Sequence, residues 1–270
     1  MHYGLLTMGI VLLFSCGMNP EEKVSLPFVD HQHVIIAHRG NHVEVPENTL
    51  AAFEEAIRCG ADYVEVDVRA TADGHLVTVH DETITKMTGF DRKVEEMTWD
   101  ELRTIPVIPV RLDDPQSYFI PDFGSVLELC RDRIHIYLDF KKADVRQTFD
   151  MIKEAEMEDQ IVIYVNSIDQ YHEWRTIAPD IPLMTSLPWD MDRTDQGEWL
   201  DEHPISIVDN AREKEQIEWL KKRGIAVWLD VQGRDEGAEK WENALFLGVD
   251  GMQSDRPAAL IQYLHEKGKR

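Results

Sequence analysis

The sequence predicts a single (β/α)₈ barrel (TIM barrel), an α/β fold with parallel strands inside a ring of helices, on three observations. The chain of 270 residues is long for one ordinary domain but normal for such a barrel. A hydrophobic fraction of 43% is enough for one sizeable core and argues against disorder. From His33 onward, short β-branched runs alternate with helical patterns, which is typical of βα units around a parallel sheet.

Nine strand-like runs are visible, one more than the barrel needs. They are Val34–Ala37, Tyr63–Arg69, Leu76–His80, Ile134–Phe140, Ile161–Val165, Pro182–Ser186, Ile205–Val208, Ile225–Leu229 and Gly251–Gln253. The link between the second and third runs, around Asp73-Gly74, is too short for a parallel crossover and is typical of a hairpin. We therefore expect a hairpin that accounts for the surplus strand and places His80 across from Asp67 and close to Glu65.

Start and stop signals place helices between the strands. The segment Asn48–Cys59 carries apolar residues on one face, and Pro257 is placed to begin the last helix. Thr98 with Glu101 forms a capping-box pattern. Residues 83–121 fit no βα unit, so we expect a small excursion from the barrel after the third strand-like run.

The amino terminus has the features of an export signal. Its first fifteen residues contain no Asp, Glu, Lys or Arg, and the apolar stretch from Gly4 to Phe14 is too short to span a bilayer. The stretch ends in Leu13-Phe14-Ser15-Cys16, which resembles the lipobox of bacterial lipoproteins, where the cysteine is lipidated. We expect residues 1–15 to be a signal peptide, residues 16–30 a tether lipid-anchored at Cys16, and residues 31–270 the barrel. This predicts a location in the bacterial cell envelope; a plain secretory signal is the alternative.

The composition excludes some partners. The formal net charge is −23, from 51 acidic and 28 basic residues, whereas binding to nucleic acid requires a basic stripe. The same excess disfavours electrostatic adhesion to anionic lipid, so a lipid anchor would be the only membrane attachment. Cys59 and Cys130 are expected to be small buried thiols, and whether they form a disulfide stays open. Nothing in the composition predicts an oligomeric state.

Two carboxylates share one face of the second strand-like run. In Val64–Val68 apolar and acidic residues alternate, and because a strand has period two, Glu65 and Asp67 lie on the same side. With the valines facing the helices, that side is the barrel interior, where two carboxylates repel each other unless positive charge lies between them. A structural salt-bridge cluster with Arg69 or Lys141 is the alternative to a metal site.

A third carboxylate lies on a later run with the same alternation. In Ile134–Lys141, Asp139 takes the face opposite to the apolar residues and reaches the interior near the carboxyl end of the strand, where barrel active sites form. Glu65, Asp67 and Asp139 supply only hard oxygen ligands, which suit one divalent cation, Mg²⁺ or Ca²⁺, better than Zn²⁺. Lys141 points the same way and could contact a phosphate oxygen.

Two histidines and an arginine complete the candidate site. His38 and Arg39 follow the first strand-like run, and His80 is expected to reach the same barrel mouth through the hairpin. Cleavage of a phosphodiester needs one group to take a proton and another to give one, which two histidines beside a metal can do at neutral pH. The metal and Arg39 would bear the charge that develops on the phosphoryl oxygens. The remaining histidines are expected in the solvent, the tether or the packed interior: His31, His33, His42, His75, His135, His172, His203 and His265.

In sequence order, these motifs resemble the pattern of the glycerophosphodiester phosphodiesterase family. The residues that carry the resemblance are His38-Arg39-Gly40, Glu47-Asn48-Thr49, Glu65-Val66-Asp67, Asp73-Gly74, His80-Asp81, Leu138-Asp139-Phe140-Lys141, Trp228 and Gly248–Pro257. The resemblance covers nearly the whole chain after the tether. One departure is that Asp139 stands where the family most often has Glu.

The resemblance implies a metal-dependent enzyme that hydrolyses small deacylated phospholipids to sn-glycerol 3-phosphate and an alcohol. Carried over by position, His38 and His80 become the general base and acid, Glu65, Asp67 and Asp139 the metal ligands, and Arg39 and Lys141 the phosphate contacts. Glu47 and Asn48 are expected to brace the first loop. Two alternatives stay open: a sphingomyelinase-D-like lyase on intact lysolipids, which an apolar, membrane-facing rim would favour, and a non-catalytic binding lipoprotein.

Overall fold

Eight parallel strands close into a barrel in the computed structural model, which describes residues 24–270. The strands are β1 (Val34–Ala37), β2 (Tyr63–Ala70), β3 (Leu76–Thr78), β4 (Pro106–Val107), β5 (Tyr118–Phe119), β6 (His135–Lys142), β7 (Ile161–Val165), β8 (Leu183–Thr185), β9 (Ile207–Val208), β10 (Ala226–Asp230) and β11 (Gly251–Ser254). The order around the ring is β1-β11-β10-β9-β8-β7-β6-β2, and pairing of β1 with β2 closes it. The predicted (β/α)₈ barrel is confirmed.

The helices follow the predicted signals. They are α1 (Leu50–Cys59), α2 (Thr85–Thr88), α3 (Trp99–Leu102), α4 (Phe123–Cys130), α5 (Val145–Glu154), α6 (Ile168–Ile177), α7 (Arg193–Glu202), α8 (Lys214–Lys222), α9 (Ala238–Leu247) and α10 (Pro257–Glu266). The Thr98 hydroxyl and the Glu101 carboxylate form both bonds of the predicted capping box. Gly60 ends α1 in the left-handed region at φ 80°, where a side chain would be strained. Cys59 and Cys130 are free thiols.

The predicted hairpin of β2 and β3 forms, but its register differs by one residue from the expectation. The Thr71 amide donates to the His75 carbonyl over 2.9 Å, so three residues, not two, make the turn. The pairs are Val68 with Thr78, Arg69 with Val77 and Ala70 with Leu76. Continued by one step, this register puts Val79, not His80, across from Asp67. His80 therefore lies one residue further along, beyond the end of β3.

Alternation along the strands divides the core into two layers. Val64, Val66 and Val68 pack outward against the helices, as predicted. The inward residues near the amino ends of the strands form an apolar bottom layer: Ile36, Tyr63, Tyr137, Val162, Met184, Ile207 and Trp228. β11 contributes Gly251 at this level, because a Cβ there would lie 2.6 Å from Cδ1 of Trp228. The barrel is thus filled and not a pore, so chemistry is confined to its open end.

The excursion between β3 and α4 forms a small subdomain, as predicted for residues 83–121. It contains α2, α3, a 3₁₀ turn at Val94–Glu96 and the antiparallel pair β4 and β5. Buried apolar residues of its own hold it together: Val77, Val79, Ile84, Met87, Val94, Met97, Leu102, Val107, Tyr118 and Ile120. It also leaves large apolar side chains exposed: Phe90, Ile108, Val110, Leu112 and Phe119.

The end of the predicted tether is part of the barrel. Leu26 and Val29 pack against the apolar bottom layer, and the Phe28 carbonyl accepts a hydrogen bond from Nε2 of His135 over 3.0 Å. These contacts correct the expected tether of residues 16–30, because Leu26, Phe28 and Val29 near its end contact the barrel. The expected signal peptide and Cys16 lie outside the described residues. Within residues 24–270, no helix is long and apolar enough to cross a membrane.

Candidate active site

Above the apolar bottom layer, the inward-facing positions around the barrel are polar. A second layer of side chains points inward two residues after the bottom-layer residue of each strand. Its members are His38, Glu65, Asp139, Tyr164, Ser186, Asp209, Asp230 and Gln253. This layer lies at the carboxyl ends of the strands, at the barrel mouth. Buried polar groups are costly unless paired, so an unbroken polar layer marks the mouth as the place where ligands bind.

Glu65, Asp67 and Asp139 converge in this layer. One oxygen from each lies within 4.8 Å of the other two. Glu65 is 2% exposed and Asp67 is fully buried. Burial raises the pKa of Glu65 well above its ordinary value, and the charges of Asp67 and Asp139 raise it further. Burial also raises the pKa of Asp139, although Lys141 opposes the shift. The predicted carboxylate cluster is present and short of positive charge.

Lys141 and Arg39 approach the cluster from two sides. Nζ of Lys141 lies 2.5 Å from Oδ2 of Asp139 and 3.3 Å from Oδ1 of Asp67. Nε of Arg39 lies 3.5 Å from Oδ2 of Asp67. The salt-bridge alternative is therefore realised for Lys141 but not for Arg69, whose guanidinium donates to the His80 carbonyl. Oδ1 of Asp67 and Nε of Arg39 are buried and make no hydrogen bond. A buried carboxylate oxygen that accepts no hydrogen bond and has only the ion pair with Lys141 fits a divalent cation among hard ligands.

The loop after β1 is fixed to the cluster by its own backbone. The Arg39 amide donates to Oε2 of Glu65 over 2.7 Å, and the Asn48 side chain donates to Oδ2 of Asp67 over the same distance. Arg39 and Asn48 both have φ of 53°, in the left-handed region, which asparagine tolerates but arginine rarely adopts. Glu47 binds the Arg39 guanidinium over 2.8 Å. Glu47 and Asn48 thus contact the loop and the carboxylates, as expected for bracing residues.

His38 makes a hydrogen bond to Asp255, a residue whose role was not predicted from the sequence. Nδ1 of His38 lies 2.7 Å from Oδ1 of Asp255, which follows β11, and the Gly233 amide donates to the other oxygen. Burial lowers the pKa of His38, although the bond to Asp255 opposes this shift. Burial alone would raise the pKa of Asp255, but the bond to His38, the charges of His38 and His42 and the Gly233 amide together outweigh this and hold the pKa at about 2. His38 is therefore a neutral base at pH 7, with Nε2 available as the proton acceptor.

The other histidines depart from expectation at two positions. His42 lies beside the pair, with Nε2 3.5 Å from Asp255 and Nδ1 2.9 Å from the His38 carbonyl. His33 is buried and contacts the Val249 carbonyl, so it is not a tether residue.

The His80 side chain is 38% exposed, and its Nδ1 lies 2.8 Å from Asp81. Among the described contacts, the imidazole of His80 has none with the carboxylate cluster.

Comparison with known proteins identifies the family. The family model for the glycerophosphoryl diester phosphodiesterase family matches residues 38–259, which includes every candidate site residue of the barrel. The chain belongs to this family. A glycerophosphodiester phosphodiesterase of Caldanaerobacter subterraneus subsp. tengcongensis is 30% identical over 250 residues, covering 87% of this chain and 99% of that relative. The protein is therefore an enzyme, a glycerophosphodiester phosphodiesterase.

Solved structures of the family share the fold. A glycerophosphodiester phosphodiesterase of Agrobacterium tumefaciens matches with a TM-score of 0.74 and 27% identity, covering 85% of this chain and 99% of that chain. An Oleispira antarctica phosphodiesterase, solved with the product sn-glycerol-3-phosphate, also has a TM-score of 0.74 at 18% identity and covers 86% of this chain and 96% of that chain. At that identity the second likeness concerns the fold alone.

Proposed function

We propose that this phosphodiesterase hydrolyses glycerophosphodiesters to sn-glycerol 3-phosphate and an alcohol in a reaction that depends on one divalent cation, Mg²⁺ or Ca²⁺. The observation that carries the proposal is the convergence of Glu65, Asp67 and Asp139 within 4.8 Å beside two cationic side chains. The Oleispira phosphodiesterase, which shares the fold, was solved with sn-glycerol-3-phosphate, so the proposed product is one that this fold can hold.

Glu65, Asp67 and Asp139 would hold the cation. When bound, the cation would supply a Lewis acid for the phosphoryl oxygens. Arg39 and Lys141 carry the positive charges nearest to the cluster and would contact the phosphate. Because Lys141 already bonds to Asp139, the lysine and the cation would share this carboxylate.

His38 would take the proton from the attacking hydroxyl at Nε2, while Asp255 keeps Nδ1 protonated and fixes the ring. His80 would give a proton to the leaving alcohol. Its exposed position beside Asp81 suits a group that meets the leaving group at the edge of the mouth. The attacking hydroxyl would belong to water or to the glycerol of the substrate. In the family, attack by the glycerol hydroxyl can proceed through a cyclic phosphate.

The proposed activity is tested with a panel of glycerophosphodiesters that differ in the alcohol, with released sn-glycerol 3-phosphate and alcohol both quantified. Appearance of the two products in equal amounts is the expected result. Release of the phosphorylated alcohol with free glycerol would show cleavage of the other ester bond and overturn the product assignment.

A second candidate substrate class is favoured by one observation. Five large apolar side chains of the excursion are exposed, and Leu112 is 93% exposed. Because the excursion leaves the barrel at its mouth, these residues could contact an acyl chain, as a sphingomyelinase-D-like lyase on lysolipids would require. A lysophospholipid in the same panel decides between the diesterase and the lyase. Release of a cyclic phosphate from the lysophospholipid, faster than cleavage of the deacylated diesters, would favour the lyase.

Asp139→Asn is expected to weaken divalent-cation binding by more than the about 10–100-fold typical of an outer-shell partner, because it removes a ligand charge and keeps the shape. Asp139→Glu is the matched control, since it keeps the charge and restores the residue commonest in the family. Calorimetric titration with Mg²⁺ and Ca²⁺ measures both variants. Wild-type affinity in the Asn variant would show that Asp139 is no ligand.

We propose that Cys16 carries lipid and attaches the enzyme to an envelope membrane. Leu26 and Val29 pack at the amino-terminal end of the barrel, so an anchor that precedes them would leave the opposite, catalytic mouth away from the attachment point. Cys16→Ser is expected to move the protein from the membrane to the soluble fraction of the native host, measured by fractionation. A Ser variant that stays wholly with the membrane would contradict lipidation at this residue.

A further inference from the structure

The half of the barrel mouth that faces away from β2 carries polar side chains that the proposed reaction does not use. They belong to the polar layer and come from five consecutive positions around the ring: Tyr164, Ser186, Asp209, Asp230 and Gln253. Hydrogen bonds join them, from Tyr164 to Ser186 over 2.9 Å and from Ser186 to Asp209 over 2.6 Å. Tyr164, Ser186 and Asp209 thus form one bonded group and Asp230 with Gln253 a second, and together they make up the wall of the mouth that faces away from β2.

Two carboxylates of this wall lack a compensating charge. Burial, and then the charge of Asp209, raises the pKa of Asp230 to about 6, and burial also raises the pKa of Asp209. Arg212 is the basic group whose charge opposes the shift at Asp230, but its side chain is exposed. Among the described residues, no ion pair joins Arg212 to either carboxylate. Asp209 is buried and Asp230 half-buried, and two such acids without a cation are costly unless a ligand brings the positive charge.

The amide of Gln253 adds an independent sign of a missing ligand. Gln253 is 6% exposed, and its Nε2 donates to Oδ1 of Asp230 over 3.0 Å. Its Oε1 is buried and makes no hydrogen bond. The neighbouring Gln232 also leaves a buried Oε1 without a hydrogen-bond partner. The wall thus offers acceptors in excess of donors, and a native protein seldom leaves such groups unsatisfied.

We propose that Asp209, Asp230 and Gln253 form a subsite for the ammonium group of an amino-alcohol leaving group. The inference rests on the proposed function, because a phosphate bound at the carboxylate cluster would determine the direction in which the leaving alcohol extends. The charge of Asp139 acts on Asp209, so the two halves of the mouth lie within electrostatic reach. A primary ammonium group brings one positive charge and three N–H donors, which match two acids and an orphaned amide oxygen. A quaternary ammonium group brings the charge without the donors.

The experiment compares kcat/KM of the wild-type enzyme, with Mg²⁺ present, for three diesters: glycerophosphoethanolamine, glycerophosphocholine and glycerophosphoglycerol. We expect kcat/KM for the ethanolamine diester to exceed that for the glycerol diester, whose leaving alcohol is uncharged, by at least about tenfold, with the choline diester between them. Asp209→Asn and Asp230→Asn are each expected to remove most of this preference through KM. Thermal unfolding curves show whether both variants are folded, and the loss of kcat/KM is expected to be larger with the ethanolamine diester than with the glycerol diester.

Asp169→Asn is the matched control, since Asp169 is an exposed acid in the first turn of α6 and its loss changes the net charge equally. An unchanged preference in this variant separates a local subsite from long-range steering. Equal kcat/KM for all three diesters in the wild type would overturn the subsite and leave the proposed function intact. If no diester is cleaved, the proposed function and the subsite both fail. A preference that survives both Asn substitutions would also overturn the assignment.

Discussion

His38→Ala is expected to lower kcat by about two to four orders of magnitude, the usual worth of a positioned base. The neutral imidazole at pH 7, which follows from the lowered pKa of His38, is the form able to accept a proton. The variant is expected to unfold at the wild-type temperature, because His38 lies at the mouth and outside the apolar core. Steady-state rates with glycerophosphoethanolamine, beside a thermal unfolding curve, measure both quantities. Turnover within tenfold of wild type would remove His38 from the base role.

Asp255→Asn separates the base from its positioning residue. The bond to Asp255 raises the pKa of His38 against the effect of burial, so its loss should lower this pKa further. The neutral base then persists to lower pH, and the acidic limb of the kcat/KM profile moves to lower pH while the maximum rate falls. His203→Ala is the matched control, because His203 caps α7 away from the mouth. An acidic limb that stays in place would show that Asp255 does not act on the catalytic imidazole.

Much of the site was predictable because strand alternation is local. Glu65 with Asp67, and Asp139 with Lys141, lie on one face of their strands by period alone, and parallel strands bring their carboxyl ends to one mouth. The pairing of Asp67 with Asp139 in register follows from β2 and β6 being neighbours in the ring. Where the fold class fixes the neighbours, the sequence is enough to predict a carboxylate cluster.

The features that were missed depend on exact turn geometry or on contacts distant in sequence. A three-residue turn instead of a two-residue turn moved His80 by one position relative to Asp67. The partnership of His38 and Asp255 joins residues 217 positions apart. Asp255 stands in a recognisable motif after the last strand. Its pairing with His38, however, depends on the closure of the barrel, which brings β11 beside β1.

The packing of Leu26 and Val29 on the barrel was missed for a different reason. Residues 16–30 show no period, and a segment without a period reads as a linker. Two apolar side chains make the contact with the amino-terminal end of the barrel, and no repeat is needed for it. Coverage of a barrel end is therefore invisible to pattern analysis, although it determines where the preceding chain leaves the fold.

Metal removal is expected to abolish diester hydrolysis, with activity restored by Mg²⁺ or Ca²⁺. In the absence of a cation, Glu65 and Asp139 are destabilised by burial and by neighbouring negative charge, which raises the pKa of both. A carboxylate with a raised pKa holds its proton to higher pH, and the proton competes with the cation. Cation affinity is thus expected to fall as pH decreases from 8 to 6, by an amount larger than unperturbed carboxylates would produce.

The same competition predicts a second, independent signal from the metal site. A cation that binds only the folded protein raises the unfolding temperature by mass action, so Mg²⁺ is expected to stabilise the enzyme more at pH 8 than at pH 6. Asp139→Asn is the control for this measurement: it relieves repulsion in the metal-free protein and should reduce the stabilisation by Mg²⁺. Full activity after exhaustive chelation, with no metal detected by elemental analysis, would remove the cation from the mechanism. In that case Lys141 and Arg39 alone would have to neutralise the phosphate, and the carboxylates would serve to hold these two side chains in place.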